Sequence, residues 1–498
     1  MIGDRPRNPG LVSEPQSWFG EAVAVQAARA PDAPAFVTAS HVTPYASLQQ
    51  SILRLATAML RRGCRPGETV ALLLDRQPID LVLLFAAHRL GVPVLVLGRE
   101  DPPELVRALV RASGATRLLS AAGLPPDPGV PALTVDASWL RVPDGDLPPP
   151  PGPGDSCYLV RSSGTTHGVP KLVATTHRSE TARVGGTLTR LPLAPPDRFL
   201  AMFSFGLAYG RMWAQNSLMQ GAAVVFPPPP RSVAHLSEIV REMGATWAAL
   251  TPTYLHALLE AHPGPEPLLP GMRIVVSTAA LPPAARRDAI ARISSEIYSL
   301  YGTNEVGTLT LATPEEVRAS GDADGRPDPQ TEMQVVDENG RPAPPGTVGP
   351  LRFRGPDYPT SYRHSPPGAA SRFDDGWFYP GDLGMVDETG QLFLKGRVDD
   401  LINVSGAKVY PADIESCLSL HPAMSEVAVV AVPNRWTGSL PVACVVLRRP
   451  VGVDELVELC RRRLGPDRSP RRIVVMPDLP KAELGKFDRR ALRERLRG

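Results

Sequence analysis

A run of hydroxyl, glycine and lysine residues at 162–171, Ser162-Ser-Gly-Thr-Thr-His-Gly-Val-Pro-Lys171, has the composition of a phosphate-binding segment. Ser162, Ser163, Thr165 and Thr166 supply O–H donors, Gly164 and Gly168 let backbone N–H groups approach a ligand, and Lys171 adds a point charge. Strand-like stretches at 158–160 and 172–176 flank it, so a flexible loop between strands is expected. It is not a Walker A loop, because that pattern needs glycine five residues after Gly164, where Val169 stands. Taken alone, the segment suits an ordinary polar hairpin as well as it suits a polyphosphate.

Three further segments follow in order and carry the aromatic, acidic and basic groups that such a ligand would need. Tyr301-Gly-Thr-Asn-Glu305 closes a strand-like stretch. Trp377-Phe-Tyr-Pro-Gly-Asp382 precedes Gly396-Arg-Val-Asp-Asp400, which continues as Leu-Ile-Asn-Val-Ser-Gly406. Pro480-Lys-Ala-Glu-Leu-Gly-Lys486 lies near the C-terminal end. Together the four resemble the adenylate-forming superfamily of acyl- and aryl-CoA synthetases, peptide-synthetase adenylation domains and luciferases. The resemblance spans nearly the whole chain.

That resemblance implies an enzyme that joins a carboxylic acid to AMP from ATP, with Mg2+, and passes the acyl group to an acceptor. Residues 162–171 would hold the β- and γ-phosphates, with Ser162, Ser163, Gly164, Thr165, Thr166 and Lys171 as the binding groups. Tyr301 offers adenine a flat face. Glu305 would hold Mg2+ through carboxylate oxygen, as a hard cation prefers. Asp382 would accept from both ribose hydroxyls, and Arg397 would donate to the same sugar. Lys486 would lie between the acid's carboxylate and the α-phosphate, offsetting the repulsion of two anions that must meet. The pattern departs from the family in two places. His167 is an extra residue before Gly168, and Asn304 stands where the family has threonine, although its amide can still donate to a phosphate oxygen.

In amino-acid-activating relatives an aspartate follows the position of Phe205 and pairs with the substrate's ammonium; here Gly206 follows it. An uncompensated ammonium in an apolar pocket is costly, so an aryl or other non-amino acid is expected. Matching to aryl-CoA ligases places Ser204, Phe205, Tyr209, Gly302 and Thr308 around that acid. Coenzyme A is the first expected acceptor, with a carrier-protein phosphopantetheine thiol and an amine as alternatives. Gly406 and Lys408 would form the loop serving transfer, and Asp399 would occupy the hinge. A catalytically silent nucleotide-binding protein would have the Glu305 and Lys486 positions vacant, and they are filled.

The elements that must position these groups follow from periodicity. Residues 47–62, 79–90 and 284–293 have helical spacing, whereas 69–74, 92–97, 273–277 and 296–300 are short apolar strands. Strands alternating with helices point to an α/β fold in layers with largely parallel sheets. Residues 333–394 change to short strands with Gly and Pro turns, a β-rich subdomain. A small mobile α+β domain carrying Lys486 is expected over 399–498, behind a large N-terminal domain over 1–398. Prolines at 148–153 and 227–230 mark stiff connections.

Bulk properties narrow the classes. At 498 residues more than one core is expected. Lys and Arg exceed Asp and Glu by only 53 − 51 = +2, which gives no electrostatic case for nucleic acid. The arginines 461, 462, 463, 468, 471 and 472 form a basic stretch best read as a solvated face. Five scattered cysteines with no C-x-x-C pair argue against a disulfide framework or a zinc knuckle. The N-terminal residues lack the apolar run of a signal peptide, and the apolar stretch at 81–87 is too short for a membrane span. A soluble cytoplasmic protein is expected.

Overall fold

The computed structural model describes residues 18–166, 169–279, 281–363, 372–404, 407–434, 438–482 and 485–496; for 163–166, 169, 170, 407, 438 and 467 it describes the backbone alone. The alternation read from the sequence produces two parallel-cored sheets with helices between and outside them. One sheet runs Gly307–Ala312, Ile297–Thr303, Arg273–Val276, Trp247–Leu250, Arg198–Leu200, Ala223–Val225, Pro34–Val37 and Val42–Pro44, with antiparallel pairing at its two edges. The other runs Ala132–Thr134, Arg117–Ser120, Val70–Leu74, Val94–Gly98, Ser156–Thr166 and Val169–Thr176, parallel except for the final hairpin.

Strands buried on both faces show how the layers form. Val70, Leu72 and Leu74 face a core shared with the helices Tyr45–Arg61, Pro78–Arg89 and Ala208–Met219, and with Phe36, Phe199 and Trp247 of the first sheet. Ala71 and Leu73 point the other way, onto the helix Pro103–Ser113. The opposite face of the first sheet, through Leu200, Val225, Ile274 and Val276, packs the helices Val233–Glu242, Pro252–Ala261 and Pro283–Arg292. Period-two alternation thus feeds three helical layers from two sheets.

The β-rich region forms a third sheet containing Glu332–Val335, Val348–Arg354, Asp382–Val386 and Leu392–Arg397, around Leu351, Phe353 and Phe378. After a single turn at Val398–Asp400, Ile402–Val404 opens a separate sheet with Ala407–Val409, Gly438–Leu447, Met424–Asn434 and Arg472–Val475. Its core, built on Ile402, Ile414, Val429 and Leu456, contains no residue from the preceding sheets. A large mixed α/β domain and a smaller C-terminal one result. No described helix is long and apolar enough to cross a membrane. The arginines 461, 462, 463, 468, 471 and 472 are exposed.

One local expectation changes. The backbone of residues 162–166 prolongs the strand Ser156–Thr166, pairing Thr165 with Pro170 and Thr166 with Val169, rather than leaving it as an open loop. The register shifts between Arg161 and Thr165, an irregularity in the ladder. His167 and Gly168 lie outside the described residues.

Candidate active site

Parallel strands end on the same side of their sheet, and ligands collect beyond those carboxyl ends. The strand Ile297–Thr303 carries Tyr301 and Gly302 to that edge and turns back as Gly307–Ala312. A Cβ at Gly302 would sit 2.5 Å from the Gly307 carbonyl oxygen, so this close approach requires glycine. The turn leaves Glu305 fully buried. Its Oε1 accepts from the Tyr362 hydroxyl at 3.1 Å and lies 3.7 Å from Arg372 Nη1. Its Oε2 has no hydrogen-bond partner among the described residues. Arg183 donates to the Glu305 carbonyl and fixes the turn to the helix His177–Arg190. Lys171 reaches the same place, its Nζ 5.1 Å from the centre of the Tyr362 ring.

Across the cleft, antiparallel register sets Asp382 opposite Arg397. Arg397 Nη1 donates to Asp382 Oδ1 at 2.9 Å and to the Pro380 carbonyl at 3.0 Å. The Tyr301 hydroxyl donates to Asp382 Oδ2 at 2.5 Å. Burial first, and then the Asp382 carboxylate, hold that phenol well above its ordinary range, so it remains a donor. Tyr301 therefore fixes the carboxylate as well as presenting a ring. The Asn304 amide donates to the Arg161 carbonyl at 3.2 Å, and Arg161 itself pairs with Asp101 at 2.6 Å.

Arg161, Tyr301, Asn304, Arg372, Asp382 and Arg397 line one cleft of about 1650 Å³, together with Ser162, Tyr209, Gly302, Thr308 and, from the C-terminal domain, Lys486. Glu305, Tyr362 and Lys171 are not among the described lining residues, and Arg372 links Glu305 to the lining. The Gly485 carbonyl beside Lys486 accepts from Thr253 Oγ1 at 3.1 Å, which seats this loop on the helix Pro252–Ala261. Thr308 Oγ1 is 2.9 Å from Thr187 Oγ1. Tyr209 donates to the Val275 carbonyl at 2.9 Å and the Leu250 carbonyl at 3.2 Å, which tethers its ring to two strand ends.

Other expected residues lie elsewhere. Phe205 is fully buried against Phe226, ring centres 6.0 Å apart, and Ser204 accepts from the Gly206 N–H at 3.1 Å. Neither is among the described residues lining the cleft. Lys408 is on the outer surface, 2.8 Å from Glu338 of the β-rich sheet region. Asp399 is exposed, 3.9 Å from Arg397. Gly406 lies outside the described residues, as do the side chains of Ser163, Thr165 and Thr166, and of Gly164 only the backbone course is described.

Sequence reasoning passed over Tyr362 and Arg372, which hold Glu305, and a buried polar face on the helix Ala208–Met219. Arg211, Gln215 and Asn216 line the cleft there. Their spacing at i, i+4 and i+5 in a mainly apolar helix was the available signal.

The model of the AMP-binding enzyme family matches residues 23–362, and that of the AMP-binding enzyme C-terminal domain matches 413–486. A 4-chlorobenzoate–CoA ligase from Arthrobacter sp is 30% identical over 512 aligned positions, covering 96% of this chain and 95% of that protein. A feruloyl-CoA synthase from Amycolatopsis sp is 31% identical over 505, covering 98% and 99%. Among solved structures, the amide bond synthetase McbA from Marinactinospora thermotolerans aligns with a TM-score of 0.85 at 26% identity, covering 96% of this chain and 99% of that one.

Proposed function

The chain belongs to the AMP-binding enzyme family, and from that premise we propose that it activates a carboxylic acid with Mg-ATP and transfers the acyl group to coenzyme A. The carrying observation is the convergence of Lys486 with Asp382 and Arg397 on one cleft, although they come from two domains. In the first half-reaction a carboxylate oxygen of the acid attacks the α-phosphorus of ATP. The new C–O–P linkage forms as the Pα–O bond to pyrophosphate breaks. Lys486 reduces the repulsion between the two anions, while Asp382 and Arg397 fix the ribose. In the second half-reaction the thiol sulfur attacks the acyl carbon, AMP leaves, and the thiol proton passes to solvent.

The buried Oε2 of Glu305, without a hydrogen-bond partner among the described residues, fits a divalent cation better than it fits a vacant interior. One protein carboxylate plus substrate phosphates is a common way to hold Mg2+. The ion, when bound, would neutralise charge developing on the phosphates. Gly206 leaves no room for an ammonium-pairing side chain: a Cβ there would lie 2.4 Å from the Gly98 Cα. This supports an acid without an α-amino group. The likeness to an amide bond synthetase supports an amine as second acceptor.

A panel of carboxylic acids in ATP–pyrophosphate exchange, repeated with coenzyme A and with amines, tests the reading. The expected result is exchange with aryl acids, none with phenylalanine, and acyl-CoA formation. Exchange driven by phenylalanine but by no benzoate-type acid would overturn the assigned acid class. Exchange with neither acceptor consumed would move the second step to a carrier protein.

A further inference from the structure

The helix Ala208–Met219 crosses the core between the two sheets and presents Arg211, Gln215 and Asn216 to the cleft. All three are buried, at 9%, 2% and 1% exposure. Arg211 Nη1 donates to the Phe205 carbonyl at 2.9 Å, and the guanidinium lies 5.3 Å from the centre of the Tyr158 ring. The Tyr158 hydroxyl donates to Gln215 Oε1 at 3.0 Å. Gln215 Nε2 and both amide atoms of Asn216 then have no hydrogen-bond partner among the described residues. Buried polar atoms are nearly always paired, so two orphaned amide N–H donors and an amide oxygen in one wall point to a ligand.

The charges give the ligand's sign. Arg183, Arg211 and Glu180 all line this part of the cleft. Glu180 lies 2.9 Å from Arg183 Nη1, whereas Arg211 has no carboxylate within 4 Å among the described residues. Glu180 is thus one carboxylate for two guanidiniums, in contact with Arg183 and acting on Arg211 only from farther off, so the region is net positive, and the planar fork of Arg211 suits an oxyanion. We propose that the acid this enzyme activates carries a second oxyanion, remote from the carboxyl joined to AMP, which Arg211 receives with Gln215 and Asn216. The proposal rests on the adenylation reading above and narrows its substrate class.

The test compares benzoic acids of matched size bearing a distal carboxylate, sulfonate or methyl group, in pyrophosphate exchange with the intact enzyme. The sulfonate marks the distal end, since only its carboxyl can yield the acyl-adenylate. The wild type is expected to favour the anionic acids over the methyl acid by about 10–100-fold in kcat/KM, the scale of one charged hydrogen bond. In Arg211→Met that ratio should fall to near unity, with Asn216→Leu moving it in the same direction. Melting temperature and ATP binding report folding independently of the acid site. Should Arg211→Met fail to fold, the wild-type ratio and Asn216→Leu decide. A wild-type enzyme that turns over the methyl acid as well as the anionic ones overturns the second oxyanion and leaves adenylation standing. Loss of exchange with every acid overturns both. Equal loss on both acid classes in a folded Arg211→Met would make Arg211 structural.

Discussion

A carboxylate oxygen sealed from water without a partner is unfavourable unless something positive comes to it, and Glu305 is arranged around that condition. Tyr362 and Arg372 occupy one oxygen, and the other has no hydrogen-bond partner among the described residues. Asp382 differs, since both of its oxygens are engaged before any ligand arrives, by Arg397 and by Tyr301. A carboxylate has capacity for further hydrogen bonds, so the two ribose hydroxyls can join a carboxylate already fixed in place. Asp382→Ala is therefore expected to weaken ATP binding by about 1.5–3 kcal/mol, the scale of a hydrogen bond to a charged group. Calorimetry on wild type with ATP and with 2′,3′-dideoxy-ATP checks it. Equal affinity for the two nucleotides would remove Asp382 from the ribose. Lys486→Ala should instead spare ATP binding and cut adenylate formation by about 10²–10³-fold, as for loss of one preorganised donor. Transfer from a supplied acyl-adenylate should survive better, and equal loss of both half-reactions would contradict the assigned role.

At the scale of elements, the Lys486 loop is seated by a contact that tolerates no addition. Gly485 has φ +76°, and a Cβ there would meet Thr253 Oγ1 at 2.2 Å and Thr253 Cβ at 2.7 Å. Gly485→Ala should consequently unseat Lys486 and lower pyrophosphate exchange well below wild type, with the melting temperature little changed because the loop is peripheral to both cores. Thr253→Ala in the same chain removes the nearer atom, though also the hydrogen bond to the Gly485 carbonyl, and should restore part of the exchange; no restoration would show that the Thr253 hydroxyl clash is not the cause. Periodicity made the scaffold legible. The stretch 69–74 became Val70–Leu74, 284–293 became Pro283–Arg292, and the β-rich tract became the third sheet. The site was legible where a motif had a fixed order, as at Tyr301, Asp382 and Arg397. It was less legible where residue type leaves orientation open. Phe205 and Tyr209 are both aromatic and neighbours in sequence, yet one fills the core and the other reaches the cleft. Nor does Gly206 announce that Gly98 lies against it, because that contact joins segments more than a hundred residues apart in the chain.

Over the whole molecule, Lys486 and Lys408 belong to one small domain but do not face the same way. Lys486 lines the cleft, while Lys408 pairs with Glu338 on the outside. Among the described residues, the arrangement is held by packing of the helix Pro411–Ser419 on Leu392–Arg397 and Pro283–Arg292 and by a set of polar contacts, Ser425 donating to Glu260 among them. Lys395 lies 3.7 Å from Asp413, Arg448 lies 3.8 Å from Glu260, and Thr253 bonds Gly485. Partly exposed ion pairs of this kind contribute little, about 0–1 kcal/mol each, which supports the proposal that the small domain takes a second orientation. The turn Val398–Asp400 joins the last strand of the β-rich sheet to the first strand of the small domain, and Asp399 within it is mostly exposed. Rotation about such a turn changes φ and ψ at one or two residues. Proline holds φ near −65° and, at an exposed position, adds no clash with packed atoms. Asp399→Pro should therefore keep the domain in the orientation seen here, with Lys486 in the cleft. Pyrophosphate exchange is expected to remain within a few-fold of wild type while acyl transfer falls by about two or more orders of magnitude, the scale on which misplaced groups lose rate. Both half-reactions are measured on one purified sample with its melting temperature matched to wild type. A stable Asp399→Pro enzyme that transfers at the wild-type rate would place the hinge elsewhere, or show that one orientation serves both steps.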